Sequence, residues 1–363
     1  MTADGYNYLP LSHNERGSNS TRWRSKDFWQ RVAIAALVVS NAALIYFQYI
    51  ASRRTHLTPL DDYQILKDHL SLAKPSDFPT NVSTRAVVST LYNDLYTTPV
   101  ATLGYSLAAT GVSARRILMY IPGRLSTRSL CIVEAAGWEL HPVSLIPPPH
   151  DGHDIVPRFS DQYTKLNLWK LDSIGVERVV YLDGDTLVRG TFDELFEMPW
   201  AFGAVPDVYD NSGFKLAFNA GVLTLRTSTP EFERMTARLD EARYAPQQAE
   251  QAFLNVYYAA DAVRLPHVYN GNLVIKERSP ELWRALKRDM KIVHYTSPTP
   301  FLKVGTTLLE GKRLQRMVAK AKSVDGGLYE EEIGWWEDAY EGMRTDNEQA
   351  LEKCDGIQGI RRH

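Results

Sequence analysis

Asp183-Gly184-Asp185 places two carboxylates one residue apart where the apolar run of "VVYLDGDTLVRG" gives way to polar chain. Along a strand, side chains at i and i+2 share a face. Two like charges that close repel unless a cation, a set of hydrogen-bond donors or solvent compensates them. One Asp can cap the turn or helix that follows, the commoner explanation of an isolated Asp-x-Asp. Alternatively, the pair can hold Mn²⁺ or Mg²⁺, hard cations that take oxygen ligands and bridge to phosphate oxygens. A third chemistry, that of the haloacid-dehalogenase type of phosphatase, uses a nucleophilic Asp after a buried strand. It calls for Thr four residues after the first Asp, where this chain has Leu187, with Thr186 one position early.

Several elements must position this pair. "AVVSTL", "RILMY", "ELHPVSLI", "RVVYLD", "AFGAVPD", "NAGVLTLRT" and "KIVHYT" have the composition of buried strands. Between them, "VATLGYSLAATG", "RSLCIVEAAGW", "TPEFERMTARLDEAR" and "QQAEQAFLNVYY" read as helices, "TKLNLWKLDSIG" as an amphipathic helix stopped by Gly175, and "FDELFEMP" as a short helix ended by Pro199. Strand–helix alternation predicts an α/β fold with a mixed, mainly parallel sheet and helices on both faces. Ligands of such sheets bind beyond the C-terminal ends of the strands, the position of Asp183 and Asp185.

The 363 residues carry 41 Lys and Arg against 43 Asp and Glu, so no global basic surface is available to hold nucleic acid by its phosphates. Two cysteines, Cys131 and Cys354, exclude a Cys-rich zinc module, and sequence leaves open whether they pair. Residues 32–50, "VAIAALVVSNAALIYFQYI", are uncharged and close to the roughly 20 residues needed to span a membrane. Arg22, Arg24, Lys26 and Arg31 precede them, which predicts a cytoplasmic N-terminus and a luminal C-terminal side, weakened but not reversed by Arg53 and Arg54. The expected organisation is a disordered cytoplasmic tail (1–31), a signal anchor (32–50), a stem (51–80), a catalytic domain (81–311) and a helical C-terminal extension docked on it (312–363). Asn81-Val82-Ser83 and Asn19-Ser20-Thr21 both match the glycosylation sequon, but only the first would lie on the luminal side.

"TLYNDLY", "TKLNLW", "VVYLDGDTLVRGTFDELFE", "FNAGVLTL", "EQAFLN", "RLPHVYN" and "KIVHYTSP" occur in an order that resembles the glycogenin-like, family-eight glycosyltransferases over roughly Arg85 to Leu302. The Asp-x-Asp strand followed by "DELFE" is far more specific than Asp-x-Asp alone. The resemblance implies a GT-A fold, a UDP-sugar donor, Mn²⁺ and transfer with retention of configuration. In layout the chain is similar to fungal Golgi type II members such as N-acetylglucosaminyltransferases, with a glycan or glycoprotein acceptor.

Carried over residue by residue, the resemblance makes Asp183, Asp185 and His294 the metal ligands, with Gly184 between the carboxylates. Asn93 would meet the uracil edge, with Tyr92 or Tyr96 stacking on the base. Lys165 would lie near the sugar and phosphates, and Asn219 would touch the transferred sugar, with Ala220 and Gly221 leaving room. Glu250 and Gln251 would stand at the sugar's reactive face, where either could steady positive charge at the anomeric carbon. The family's His-x-x-Gly-x-x-Lys-Pro-Trp segment reads "HYTSPTPFL" here, with Ser297 for Gly and Pro300 for Lys, and Lys303 is the nearby substitute for the diphosphate contact. "GNLVIKERSP" lacks the tyrosine that glycogenin glucosylates, so self-glucosylation is not expected.

Overall fold

The computed structural model describes residues 19–54, 81–301 and 309–356, which belong to two compact units divided after Leu57. The described residues of the first unit form one helix, α1, from Asn19 to Arg54. Its stretch Lys26–Tyr49, 24 residues with a mean hydropathy of 1.7, is long and apolar enough to cross a membrane. At 1.5 Å per residue it measures about 36 Å, against a hydrocarbon core of about 30 Å. The polar side chain of Asn41 donates back to the Leu37 carbonyl at 2.8 Å, so its amide is served within the helix. The helix exceeds the expected bounds at both ends. Residues 19–31 and 51–54 are helical rather than tail and stem, because helix propagation through Arg, Lys and Gln costs little once the apolar run has nucleated it. The remainder of the expected tail and stem lies outside the described residues.

The second unit opens with β1 (Arg85–Leu91), α2 (Thr97–Thr110), β2 (Arg115–Tyr120), α3 (Thr127–Ala135) and β3 (Glu139–Pro142). A 3-10 helix, Gln162–Ile174, leads to β4 (Arg178–Leu182), β5 (Thr186–Val188), β6 (Phe202–Tyr209) and β7 (Gly213–Arg226). Then come α4 (Thr229–Ala237), α5 (Ala249–Tyr257), β8 (Val263–Arg264), β9 (Gly271–Asn272), α6 (Val274–Arg278), α7 (Pro280–Lys287) and β10 (Ile292–His294). Three helices close the chain: α8 (Gly311–Lys322), α9 (Glu330–Asp346) and α10 (Glu348–Asp355).

The main sheet has the order β3-β2-β1-β4-β7-β6-β8, and β7 runs antiparallel to both neighbours while the other pairs are parallel. Successive residues of one strand serve opposite faces. Val87, Leu91, Val180 and Leu182 join the core beneath α2, α3 and the C-terminal helices. Val88, Val179 and Tyr181 join a second core under the 3-10 helix, α4 and α5. This double burial is why β1 and β4 read as continuous apolar runs. Strand order reverses at β1, which has β2 on one side and β4 on the other, and in open α/β sheets ligands bind beyond the C-terminal strand ends at such a point.

Three sequence expectations need correcting. "KIVHYT" does not enter the main sheet; β10 is the centre of a small sheet ordered β5-β10-β9. "ELHPVSLI" is a strand only to Pro142, since β3 is an edge strand paired with β2 alone and proline cannot extend the ladder. "TKLNLWKLDSIG" is 3-10 rather than α, and it is not amphipathic. Tyr163 to Trp169 are all buried because the segment packs under α4 and α5.

The C-terminal helices dock through a buried carboxylate. Glu332 is fully buried on α9, where it accepts from Lys276 Nζ at 2.8 Å and Trp283 Nε1 at 2.9 Å. The Arg189 guanidinium lies 3.6 Å over the Trp335 ring, and Trp336 stacks on Tyr340. Cys131 on α3 and Cys354 on α10 form a disulfide with their Cα atoms 5.6 Å apart, settling the pairing that the sequence leaves open. Arg128 adds ion pairs to Asp355 at 2.6 Å and Glu310 at 2.9 Å. Cys354→Ser is expected to lower stability by about 2–4 kcal/mol. The check is a urea-unfolding midpoint, which reductant should shift in the wild type and leave unmoved in the variant.

Candidate functional site

Asp183 and Asp185 meet by a turn, not by strand alternation. β4 ends at Leu182, and Thr186, the first residue of β5, donates to the Asp183 carbonyl through both its N–H (3.0 Å) and its hydroxyl (2.8 Å). The Asp183 N–H is tied to the Gly221 carbonyl of β7 at 2.8 Å, and the Tyr295 N–H reaches the Asp185 carbonyl at 2.9 Å. A Cβ on Gly184 would come within 2.8 Å of Val100 on α2, so this glycine lets the turn press on that helix. In this arrangement one ligand atom each from Asp183, Asp185 and His294 lie within 4.8 Å of one another.

His294 is oriented from the backbone outward. The Gly221 N–H donates to Asn219 Oδ1 at 2.9 Å, which fixes that oxygen as an acceptor. Asn270 Nδ2 donates to the same oxygen at 3.0 Å, so Asn270 Oδ1 is the atom facing His294 Nδ1 at 3.0 Å. Nδ1 therefore carries a proton, and Nε2 points at Asp185 Oδ1, 3.1 Å away. Both ring nitrogens face oxygen acceptors, a pattern in which a cation at Nε2 takes the place of a proton. Two carboxylates and one imidazole so arranged fit a divalent cation. The missing side chain of Gly221 has a local use. A Cβ on it would come within 2.3 Å of the His294 ring, so the glycine admits the histidine itself.

Lys165 is buried, with its Nζ 2.7 Å from Glu250 Oε1, 3.2 Å from Asp183 Oδ1 and 3.2 Å from the Ala220 carbonyl. An ammonium has three donors, and these contacts occupy them. Lys165 therefore ties Asp183 to Glu250. Burial, the largest influence, would lower its pKa, but Asp183 and Glu250 together hold it above the ordinary value. Glu250 is pushed up by burial, with Lys165 pulling it part of the way back. Asp183 Oδ1 also accepts from the Tyr181 hydroxyl at 2.6 Å, itself 3.0 Å from Thr90 Oγ1.

The remaining candidates surround this centre. Gln251 uses both polar atoms internally, Oε1 accepting from the Ala220 N–H at 2.9 Å and Nε2 donating to Asp207 Oδ2 at 3.1 Å. Asn219 Nδ2 donates to Asp207 Oδ1 at 3.3 Å. Asn93 caps the turn after β1 by accepting from the Leu95 N–H at 3.0 Å. Burial raises the pKa of Tyr96, with the charges of Asp185 and Asp183 adding to the effect. Tyr92 is likewise raised by burial and lies in the field of Glu250 and Asp183. Lys303 lies outside the described residues. Asp207 and Asn270 have no place among the sequence candidates, yet they complete the chain of bonds from Gln251 to His294. The available signal for Asp207 was its position near the C-terminal end of a strand, "AFGAVPD", like that of Asp183. Asn270, in "RLPHVYN", carried no local signal.

Residues 158–300 match the family model described as Glycosyl transferase family 8. The chain is 24% identical over 252 residues to glycogenin of Neurospora crassa, covering 68% of this chain and 34% of that protein. It is 29% identical over 189 residues to inositol phosphorylceramide glucuronosyltransferase 1 of Arabidopsis thaliana, covering 52% of this chain and 33% of that protein. The match thus spans about a third of either relative's length. Among solved structures, the galactosyltransferase LgtC in complex with donor and acceptor sugar analogs aligns with a TM-score of 0.46 at 17% identity, covering 66% of this chain and 97% of that chain.

Two outcomes follow from the geometry. If the cluster takes a divalent cation, Gly221→Ala and Asn270→Leu should each weaken its binding about 10- to 100-fold, the usual cost of disturbing the partners of a metal ligand; titration calorimetry reads it, and unchanged affinity would refute the assigned histidine geometry. Lys165→Met leaves Glu250 and Asp183 without their counter-charge and should cost about 3–5 kcal/mol near neutral pH. Because the Lys165 pKa is raised in the fold, its contribution is complete below its ordinary value of 10.5 and is lost as pH climbs through the higher folded value. Above neutrality the stability gap between wild type and variant should therefore persist until strongly alkaline pH, whereas acid should also narrow it by protonating Glu250, whose pKa is raised.

Proposed function

We propose that this member of glycosyl transferase family 8 is a retaining, metal-dependent glycosyltransferase that moves a hexose or N-acetylhexosamine from a UDP-sugar to a hydroxyl of a glycan or glycoconjugate. The observation that carries the reading is the convergence of Asp183, Asp185 and His294 within 4.8 Å at the point where strand order reverses. A bound divalent cation, Mn²⁺ in this proposal, would supply positive charge against that building on the leaving nucleotide. Asp185 and His294 Nε2 would hold it together with Asp183 Oδ2, the Asp183 oxygen left over by Tyr181 and Lys165. In this proposal the base rests after β1, where Asn93 caps the 3-10 turn Asp94–Tyr96, and Tyr92 and Tyr96 flank that asparagine in sequence.

For the transfer itself we favour front-face attack. The acceptor oxygen bonds to the anomeric carbon as the bond to the diphosphate breaks, and the hydroxyl proton passes to the departing diphosphate oxygen. Two features support this over a covalent intermediate. Glu250 is buried and neutralised by Lys165 at 2.7 Å, and Gln251 has both polar atoms engaged. A glycosyl–Glu250 adduct trapped by mass spectrometry would overturn the choice.

The location in this proposal is a Golgi-type membrane with the second unit luminal. The apolar stretch Lys26–Tyr49, basic residues before it and the disulfide Cys131–Cys354 support it. The test is UDP release by residues 81–363 with Mn²⁺ and UDP-glucose, UDP-galactose or UDP-N-acetylglucosamine. One donor should give turnover that chelator abolishes and Asp185→Asn lowers by more than about 100-fold, since losing a ligand exceeds the loss of its partners. UDP binding without release from any donor would instead favour a nucleotide-binding pseudoenzyme, the reading that Ser297 and Pro300 suggest.

A further inference from the structure

We propose that Asn81 is a site of N-linked glycosylation, modified at Nδ2; the proposal rests on the luminal reading of the second unit. Asn81, Val82 and Ser83 are the first described residues of that unit, and all are exposed, including the apolar Val82 at 49%. They form a short 3-10 turn, Val82–Thr84, that buries none of its residues before β1 begins at Arg85. Asn81 Oδ1 accepts from the Ser83 N–H at 3.1 Å, and Thr84 Oγ1 donates to the Asn81 carbonyl at 2.9 Å. Among the described residues Nδ2 has no acceptor, so substitution there displaces no contact. A bulky polar group at this place covers no part of the main sheet's core.

The compartment is indicated independently. Both cysteines of the chain are joined in one disulfide, and none is free. Such a bond persists in oxidising compartments, where this modification is also made. The sequence supplies its own control, because the other sequon, Asn19-Ser20-Thr21, lies before the apolar stretch Lys26–Tyr49 and Asn81 after it. A spanning helix puts the two on opposite sides of the membrane.

In the reaction, Asn81 Nδ2 bonds to the anomeric carbon of a lipid-diphosphate-linked oligosaccharide. The carbon–oxygen bond to the diphosphate breaks, the lipid diphosphate leaves with the electron pair, and Nδ2 gives up one proton to solvent.

The full chain would be expressed in eukaryotic cells, treated with peptide N-glycosidase and sized beside Asn81→Gln, Ser83→Ala and Asn19→Gln, with thiol alkylation reporting the disulfide. The expected result is one enzyme-sensitive step in mass, lost in Asn81→Gln and Ser83→Ala and kept in Asn19→Gln. A step lost in Asn19→Gln and kept in Asn81→Gln would reverse the orientation and overturn both the location and the site. No step in a chain whose disulfide has formed would overturn the Asn81 assignment alone and leave the luminal reading standing. No step together with free thiols would overturn the location, and the site with it.

Discussion

The ammonium of Lys165 is the charge on which the site depends. Asp183 arrives from the end of β4 and Glu250 from the first turn of α5, and the lysine lies within 3.2 Å of both. Without it two carboxylates would face each other in a poorly solvated interior, at a cost no local packing could offset. The lysine can be there only because its helix is buried on nearly every side from Tyr163 to Trp169. That burial in turn requires α4 and α5 to close over it. The cation thus links the helical layer on one face of the sheet to the turn at its edge.

A second set of bonds crosses between the two sheets. Asp185, His294, Asn270, Asn219, Asp207 and Gln251 form an unbroken series, each held by the next. The series starts in the turn, passes through the small sheet and ends on α5. Each amide in it has its orientation fixed by a neighbour, and the Gly221 N–H anchors the middle. Groups so held need little rearrangement when a charged ligand arrives, the usual basis of electrostatic preorganisation.

Much of this was legible in the sequence, for reasons specific to each element. β1 and β4 announced themselves because double burial demands unbroken apolar runs. The Asp183 turn announced itself because two acids at the end of such a run require an explanation. His294 closed an apolar strand and stood out for the same reason. What escaped were contacts that depend on how distant segments approach. Nothing near Asn270 or Asp207 advertises that each serves an amide or imidazole more than ten residues away. The pairing of Cys131 with Cys354 bridges 223 positions and could not be deduced from spacing. Strand alternation also suggested the wrong means of bringing Asp183 and Asp185 together, since a turn shares its pattern of polar residues with a strand's end. Lys165 was found, but its three partners lie at separate points of the chain and left no trace near it in the sequence.

The position of Tyr295 has a mechanical consequence. It follows His294 directly, so its side chain leaves β10 on the opposite side, and its hydroxyl donates to the Glu332 carbonyl on α9 at 2.8 Å. Its own N–H meanwhile grips the Asp185 carbonyl. The strand is thus strung between two anchorages, with the histidine looking toward the carboxylates and the tyrosine toward the C-terminal helices. Those helices are a buttress more than an appendage. A protease that clipped the chain between α8 and α9 would slacken the rung that carries the imidazole, although no residue of the site had been touched.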